Sequence, residues 1–308
     1  MGLTRVRYMR YAKHYLVFGL VTILIAVGAL LFRGLNLGID FTGGLLLDLQ
    51  FERTVTIEQV RTVMNSAVGI DAQIQQVEPK GAESPEATEF LVRTPVLSEE
   101  QKAALYDSLN HLGSYTVIGE DAVSATVSSE LTNKALLAVA IAAVLQVIYI
   151  SIRFQFRMGV TAVIALLHDV IITVGVLAIF QVEVNSTFVA AILTVLGYSM
   201  NDTVVVMDRL RENLHSRQKG ESLEDLASRS IQEVITRSIY TGISVQIMLL
   251  VMIFLGGSTI LDLATTLFVG ILAGTYSSIT VAAALWFLWE RSRDGRHHRG
   301  PAGRPAKA

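Results

Sequence analysis

Six stretches of this chain, at about 15–32, 134–152, 159–180, 186–207, 239–255 and 262–289, are apolar over nearly their whole length. A helix of about 20 such residues is what crosses the hydrocarbon of a bilayer. In lipid the backbone must satisfy its own hydrogen bonds, so the spanning element is a helix unless a β-barrel closes on itself. Hydrophobic residues make up 52% of the chain and charged residues only 17%, which does not suit a soluble enzyme with a charged surface. The expected fold is therefore an α-helical polytopic membrane protein with six transmembrane helices. The balance of 25 Lys+Arg against 27 Asp+Glu gives a net charge of −2, and this offers no reason to expect nucleic acid. Cysteine is absent, which removes disulfides, thiolate nucleophiles and cysteine metal sites.

The basic residues give the orientation. Arg5, Arg7, Arg10 and Lys13 precede span 1. Arg153 and Arg157 sit in the short link between spans 2 and 3. Arg209, Arg211, Arg217, Lys219, Arg229 and Arg237 fall between spans 4 and 5, and a run from Arg291 to Lys307 follows span 6. The alternate links, Gln181–Asn185 and Gly256–Leu261, carry neither Lys nor Arg. Positive charge stays on the cytoplasmic side, so residues 1–14 and the tail 290–308 are expected in the cytoplasm, the tail disordered. A basic head before an apolar run also fits a signal peptide. The long run and the bulky Leu31-Phe32-Arg33 after it argue against cleavage.

The segment 33–133 then lies outside, as an extracytoplasmic domain between spans 1 and 2. Gly44–Phe51 reads as a strand and Thr56 as the N-cap of a helix over Ile57–Val68. Ala72–Glu78 alternates like a strand, Pro79–Ala87 is a polar loop, and Glu89–Thr94 is a short strand. Ser98 with Gln101 resembles a capping box before a helix to Leu112, which Gly113 ends, and Ser114–Ile118 begins a last strand. The order β-α-β-β-α-β predicts a small α+β ferredoxin-like domain. Its acidic excess reads either as a solvated surface or as a docking surface. His111 has no partner spaced for a metal, so none is expected.

Ionisable groups inside a span cost about 2.5–3.5 kcal/mol each at the helix centre on insertion scales. Span 3 holds His168 and Asp169. Span 4 holds Asn201, Asp202 and Thr203, and span 5 opens on Arg237. At 1.5 Å per residue, Asp202 lies roughly 8–10 Å from the cytoplasmic face and His168-Asp169 about 14–15 Å from it. These groups can therefore share a layer. Asp202 is either structural glue or a proton-carrying carboxylate. Desolvation and a nearby Arg shift a carboxyl in opposite directions, so moving one helix would switch it. His168 and Asp169 can satisfy each other, which favours a structural role. Arg237 either snorkels outward or pairs inward. In span 6, Gly270, Gly274, Ser277 and Ser278 line one face and permit close helix packing. The chain has no His-Glu-x-x-His pattern and no aspartyl-protease flanking motif, so enzyme activity is not expected.

Several strings together resemble the SecF members of the SecD/SecF family of protein-export membrane proteins, which is related to the resistance-nodulation-division superfamily. They are Gly38-Ile39-Asp40-Phe41-Thr42-Gly43-Gly44 after span 1, Ala165 to Val170 in span 3, Tyr198 to Asn213 closing span 4, and Arg237-Ser238-Ile239. The resemblance covers roughly residues 5–290. The family's Phe before the second Asp of the span-4 motif is Met207 here. The resemblance implies a subunit that assists Sec-dependent export across the bacterial cytoplasmic (inner) membrane, driven by the proton gradient, with H+ as coupling ion and no other cofactor. It makes Asp202 and Arg237 the proton relay, with Asn201, Thr203, His168 and Asp169 in support. It implies as partners a SecD-like subunit in a heterodimer, the SecYEG channel, YidC and YajC as further candidates, translocating unfolded polypeptides, and lipid. A passive assembly subunit and a small-molecule exporter of the same superfamily are the alternatives.

Overall fold

A computed structural model describes residues 7–69, 72–77 and 86–297. The predicted loop Pro79–Ala87 and the predicted tail therefore lie largely outside the described residues. The chain divides into two compact units, Leu37–Leu137 and a second made of 1–36 with 138–308.

The smaller unit holds strand β1 (Gly44–Thr56), helix α2 (Ile57–Val68), strands β2 (Gln73–Val77) and β3 (Glu86–Thr94), helix α3 (Glu99–Asn110) and strand β4 (Tyr115–Val123). The sheet order is β2-β3-β1-β4 with every neighbour antiparallel. Successive strand residues face opposite sides. Leu45, Leu47, Leu49 and Phe51 thus form a fully buried row, while Asp48 and Gln50 fall on the other face. The buried row packs under Val60 and Met64 of α2 and Leu105 and Leu109 of α3. Phe51 meets Phe90 edge-to-face at 5.9 Å. Both helices start in complete capping boxes. Thr56 Oγ1 accepts from Gln59 N at 3.2 Å, and Ser98 Oγ accepts from Gln101 N at 3.3 Å. Each glutamine side chain accepts the return bond from the cap N–H at 2.9 Å.

The larger unit contains α1 (Ala12–Arg33), the latter part of α4 (Ala125–Arg153), α5 (Phe156–Phe180), α6 (Ser186–His215), α7 (Leu223–Leu255) and α8 (Ser258–Ser277). A π-helical turn, Ser278–Ala282, joins α8 to α9 (Ala283–His297). These give six candidate membrane spans.

The helices run past the predicted spans. Span 4 continues to His215 and the fifth helix begins at Leu223, not near 239, so Arg209, Arg211, Arg229 and Arg237 are helical. The last helix continues to His297, into the predicted tail. Apolar windows register only the lipid-exposed length, whereas the polar turns beyond are held by caps and ion pairs. Ser222 Oγ accepts from Asp225 N at 3.0 Å, with Glu224 and Asp225 in the first turn, and Asn213 Nδ2 donates to Ser230 at 2.9 Å. Arg229 pairs with Glu221 at 3.0 Å across the short turn between α6 and α7.

α1 packs on α5 through small residues. Its buried positions are Ala12, Gly19 and Ala26, one heptad apart. Gly19 faces His168, and Ala26 faces Gly175 seven residues later. Equal steps in the same sense on both helices mean the two run parallel, as spans 1 and 3 of an alternating topology must. A seven-residue repeat on a 3.6-residue helix implies a left-handed crossing. α8 packs against α5, α6 and α7. A Cβ on Gly270 would fall 2.3 Å from Val195 Cγ2, and one on Gly274 would fall 2.8 Å from Ser199 Cβ. Beyond Lys134 α4 is mostly apolar, and the whole helix buries only Ser128 and Ile150.

Candidate functional site

The string Gly38–Gly44 has a structural task. Gly38 precedes a single helical turn, Ile39–Thr42, which Thr42 closes by donating its Oγ1–H to the Gly38 carbonyl at 3.1 Å. Gly43 (φ 72°) and Gly44 (φ 128°) then turn the chain into β1. A Cβ on Gly44 would sit 2.4 Å from the Thr94 carbonyl oxygen. The second glycine is thus required by both backbone conformation and close approach of β3.

The chemistry inside the membrane unit gathers around α8. Asp169 on α5 is fully buried, and His168 nearly so. Asp169 Oδ1 lies 3.0 Å from His168 Nδ1. Its Oδ2 accepts from Ser199 Oγ of α6 at 2.5 Å and from Ser277 Oγ of α8 at 2.7 Å. Thr173 donates to the Asp169 carbonyl at 2.6 Å. The other imidazole nitrogen, His168 Nε2, is buried with no hydrogen-bond partner among the described residues.

The second carboxylate, Asp202 on α6, is half-buried. Oδ1 accepts from Ser238 Oγ of α7 at 2.6 Å, and Oδ2 accepts from Ser278 Oγ. Consecutive residues on a helix point about 100° apart. Ser277 and Ser278, at the junction of α8 and the π turn, therefore reach two different helices and bind one acid each. Neighbouring residues thus hold both acids, Asp169 through Ser277 and Asp202 through Ser278.

The other predicted residues fall as follows. Thr203 is buried, and Asn201 is exposed. Arg237 is exposed and forms no ion pair among the described residues, so the acid is held by hydroxyls and not by the guanidinium. Met207 is fully buried in the core. Ser277 and Ser278, expected as packing residues, are fully buried and also donate their hydroxyls to the two acids. Ser199 and Ser238 were missed. Ser199 lies inside predicted span 4 and Ser238 just ahead of predicted span 5, and nothing in the sequence orders these small polar residues towards an acid.

In the smaller unit, Glu120 accepts from Lys102 Nζ at 2.8 Å and Tyr106 Oη at 2.9 Å. The lysine bond foremost holds the Glu120 carboxyl below its usual range. Burial, with Glu120 second, pushes the Tyr106 phenol up to about 12. On the opposite sheet face burial raises Asp48, whose Oδ1 has no hydrogen-bond partner among the described residues. No group of three or more His, Asp or Glu side chains suited to a metal occurs among the described residues.

A family profile described as "Protein export membrane protein SecD/SecF, C-terminal" matches residues 104–292, and one described as "SecD/SecF GG Motif" matches residues 28–55. A protein translocase subunit SecF of Sebaldella termitidis is 38% identical over 284 residues, 92% of this chain and 91% of that protein. A SecF of Desulfurispirillum indicum is 39% identical over 293 residues, 92% of this chain and 91% of that protein. The crystal structure of SecDF from Thermus thermophilus, described as a translocon-associated membrane protein, superposes with a TM-score of 0.84 at 34% identity. It aligns with 94% of this chain, which spans only 40% of that longer chain.

Proposed function

Because this chain belongs to the SecD/SecF family of protein-export membrane proteins, we propose that it is one half of a SecD–SecF export machine whose cycle is driven by proton binding at Asp202. The observation that carries this reading is the pair of hydroxyls on that acid. A serine hydroxyl both donates and accepts. With Asp202 ionised, Ser238 and Ser278 both donate to it. With Asp202 neutral, its O–H donates to Ser278, whose own proton turns to the Thr275 carbonyl, 3.1 Å away on the same helix. Neither state leaves a buried polar group unpaired, so the clamp tolerates both charges. It joins α6, α7 and α8, and a change of protonation alters the bonds between all three.

Arg237 biases the charge state of Asp202 in this reading. It precedes Ser238, so a rotation of α7 by about 100° would exchange hydroxyl for guanidinium opposite the acid. A proton crossing the whole membrane yields about 2.3 kcal/mol per 100 mV, enough for a helix rotation that exchanges hydrogen-bond partners. In this reading both termini and the basic links lie in the cytoplasm, with the unit Leu37–Leu137 outside the inner membrane; the Lys and Arg confined to alternate links support it. A SecD-like subunit supplies the other half of the bundle, beside the SecYEG channel and the emerging polypeptide.

Asp202→Asn tests the reading. The amide keeps shape and hydrogen bonding but cannot titrate. Assembled complex carrying it should insert and bind its partner, yet lose both gradient-dependent export and proton flux. Wild-type export from that complex would leave the passive-subunit reading in its place.

A further inference from the structure

We infer that the His168–Asp169 pair is a second proton-binding site, coupled to Asp202 through the adjacent hydroxyls of Ser277 and Ser278. The inference deepens the proton-driven reading above and rests on it.

Three observations carry it. First, Asp169 has the same kind of hydroxyl clamp as Asp202. Ser277 donates to Asp169 Oδ2 at 2.7 Å, and its alternative acceptor, the Gly274 carbonyl, is 3.3 Å away. When a proton binds Asp169, the new O–H donates to Ser277 Oγ and the serine proton moves to Gly274. The hydrogen bonds balance in either state, as they do one residue on for Ser278 and Thr275.

Second, the site has an unfilled valence. If Asp169 served only as glue, its neighbours should saturate it and each other. Asp169 is saturated, but His168 is not. Its Nδ1 meets Asp169 while Nε2 is buried against the gap left by Gly19, where a Cβ would sit 3.2 Å away. An imidazole with one nitrogen on a buried carboxylate and the other free can take up or release a proton without breaking any bond that holds the helices.

Third, the two acids are linked by consecutive residues at the only π-helical turn among the described residues. Such turns are rare, appear mostly as single turns inside α-helices and are frequent at functional sites. Ser277 and Ser278 cannot rotate independently, since one backbone carries both. A shift of this turn that favours the neutral form at one acid changes the donor at the other.

The titratable groups facing the pair are few. Tyr276 of α8 stacks obliquely on His168 with ring centroids 6.2 Å apart, and its hydroxyl meets the Tyr15 carbonyl of α1 at 3.5 Å. α1 carries no charge between Leu16 and Phe32. α6 brings Asp202, one turn beyond Ser199, and α7 brings only the outward Arg237.

The test is pH-difference infrared spectroscopy of the purified full chain in lipid nanodiscs, reading the carbonyl band of protonated carboxyls. Asp169→Asn should remove one titrating band and Asp202→Asn a different one. At least one substitution should also move the midpoint of the surviving band, because in the wild-type chain the acid that ionises second does so beside an already ionised partner. A spectrum unchanged by Asp169→Asn, or two bands that titrate independently, overturns the inference and leaves the Asp202 reading intact. If no titrating band is lost with Asp202→Asn, the proton-driven reading fails, and the coupling with it. Should Asp169→Asn fail to fold, Ser277→Ala keeps both acids and removes one donor. It should shift the Asp169 band, and an unshifted band overturns the proposal.

Discussion

Replacing Gly175 by alanine should loosen the contact between α1 and α5. The new Cβ would lie 2.2 Å from Ala26 Cβ, 2.5 Å from its Cα and 3.0 Å from its carbonyl carbon. Carbon atoms are comfortable at about 3.5 Å or more, so the closest contact is roughly 1.3 Å too short. Two of the three obstructing atoms are backbone, and no rotamer change relieves them. The helices must separate locally, and overpacking of this kind costs about 1–3 kcal/mol. Gly28→Ala is the control, since a Cβ there meets nothing within 4 Å. In the Gly175→Ala background, Ala26→Gly removes the 2.2 Å contact but leaves the 2.5 Å one, so it should recover only part of the loss. Reversible unfolding of the full chain in mixed micelles, followed by helical circular dichroism, gives all four stabilities. A Gly175→Ala protein as stable as Gly28→Ala would refute the parallel heptad seam. His168 sits one heptad before Gly175, so the same separation should open the space around its free nitrogen.

Three further outcomes concern the smaller unit. Gly44→Ala places a Cβ 2.4 Å from the Thr94 oxygen at φ 128° and should destabilise that unit by about 1–3 kcal/mol from strain alone, read as a lower melting temperature, with early hydrogen exchange in β1 as the local signature. Thr56→Ala removes one half of a capping box and should cost about 1 kcal/mol in the same melt, whereas Thr56→Asp should cost little. Asp48→Asn should stabilise at neutral pH. Burial raises the folded pKa of Asp48 above its unfolded value, so the native form loses stability as pH rises from one to the other. The gain from the amide is therefore full above the folded pKa and vanishes below the unfolded value near 3.9, which melts at pH 3 and pH 7 would read.

The order of elements was written in the sequence because it depends on local periodicity and caps. Apolar runs of membrane length marked the six spans, and the shorter apolar run Gly44–Phe51 marked β1. Thr56 announced a helix start as an N-cap residue and Ser98 did so through its three-residue spacing to Gln101, and no distant contact alters either. The acids in the spans stood out because their cost in lipid is high wherever the helix lies. Their partners did not stand out. Whether Asp202 meets Arg237 or Ser238 depends on the rotation of α7 about its axis, and those two residues differ by a single helical step. Whether Ser277 and Ser278 fill grooves or bind carboxylates depends on how α8 is inserted among α5, α6 and α7, and on the π turn that begins at Ser278. The free nitrogen of His168 exists only because Gly19, from the far end of the sequence, packs against it. Hydropathy fixes which residues enter the bundle, but it is the same for every rotation of a uniformly apolar helix. The packing of small residues, Gly274 on Ser199 and Gly242 on Thr275, selects one rotation and so decides which hydroxyl meets which acid.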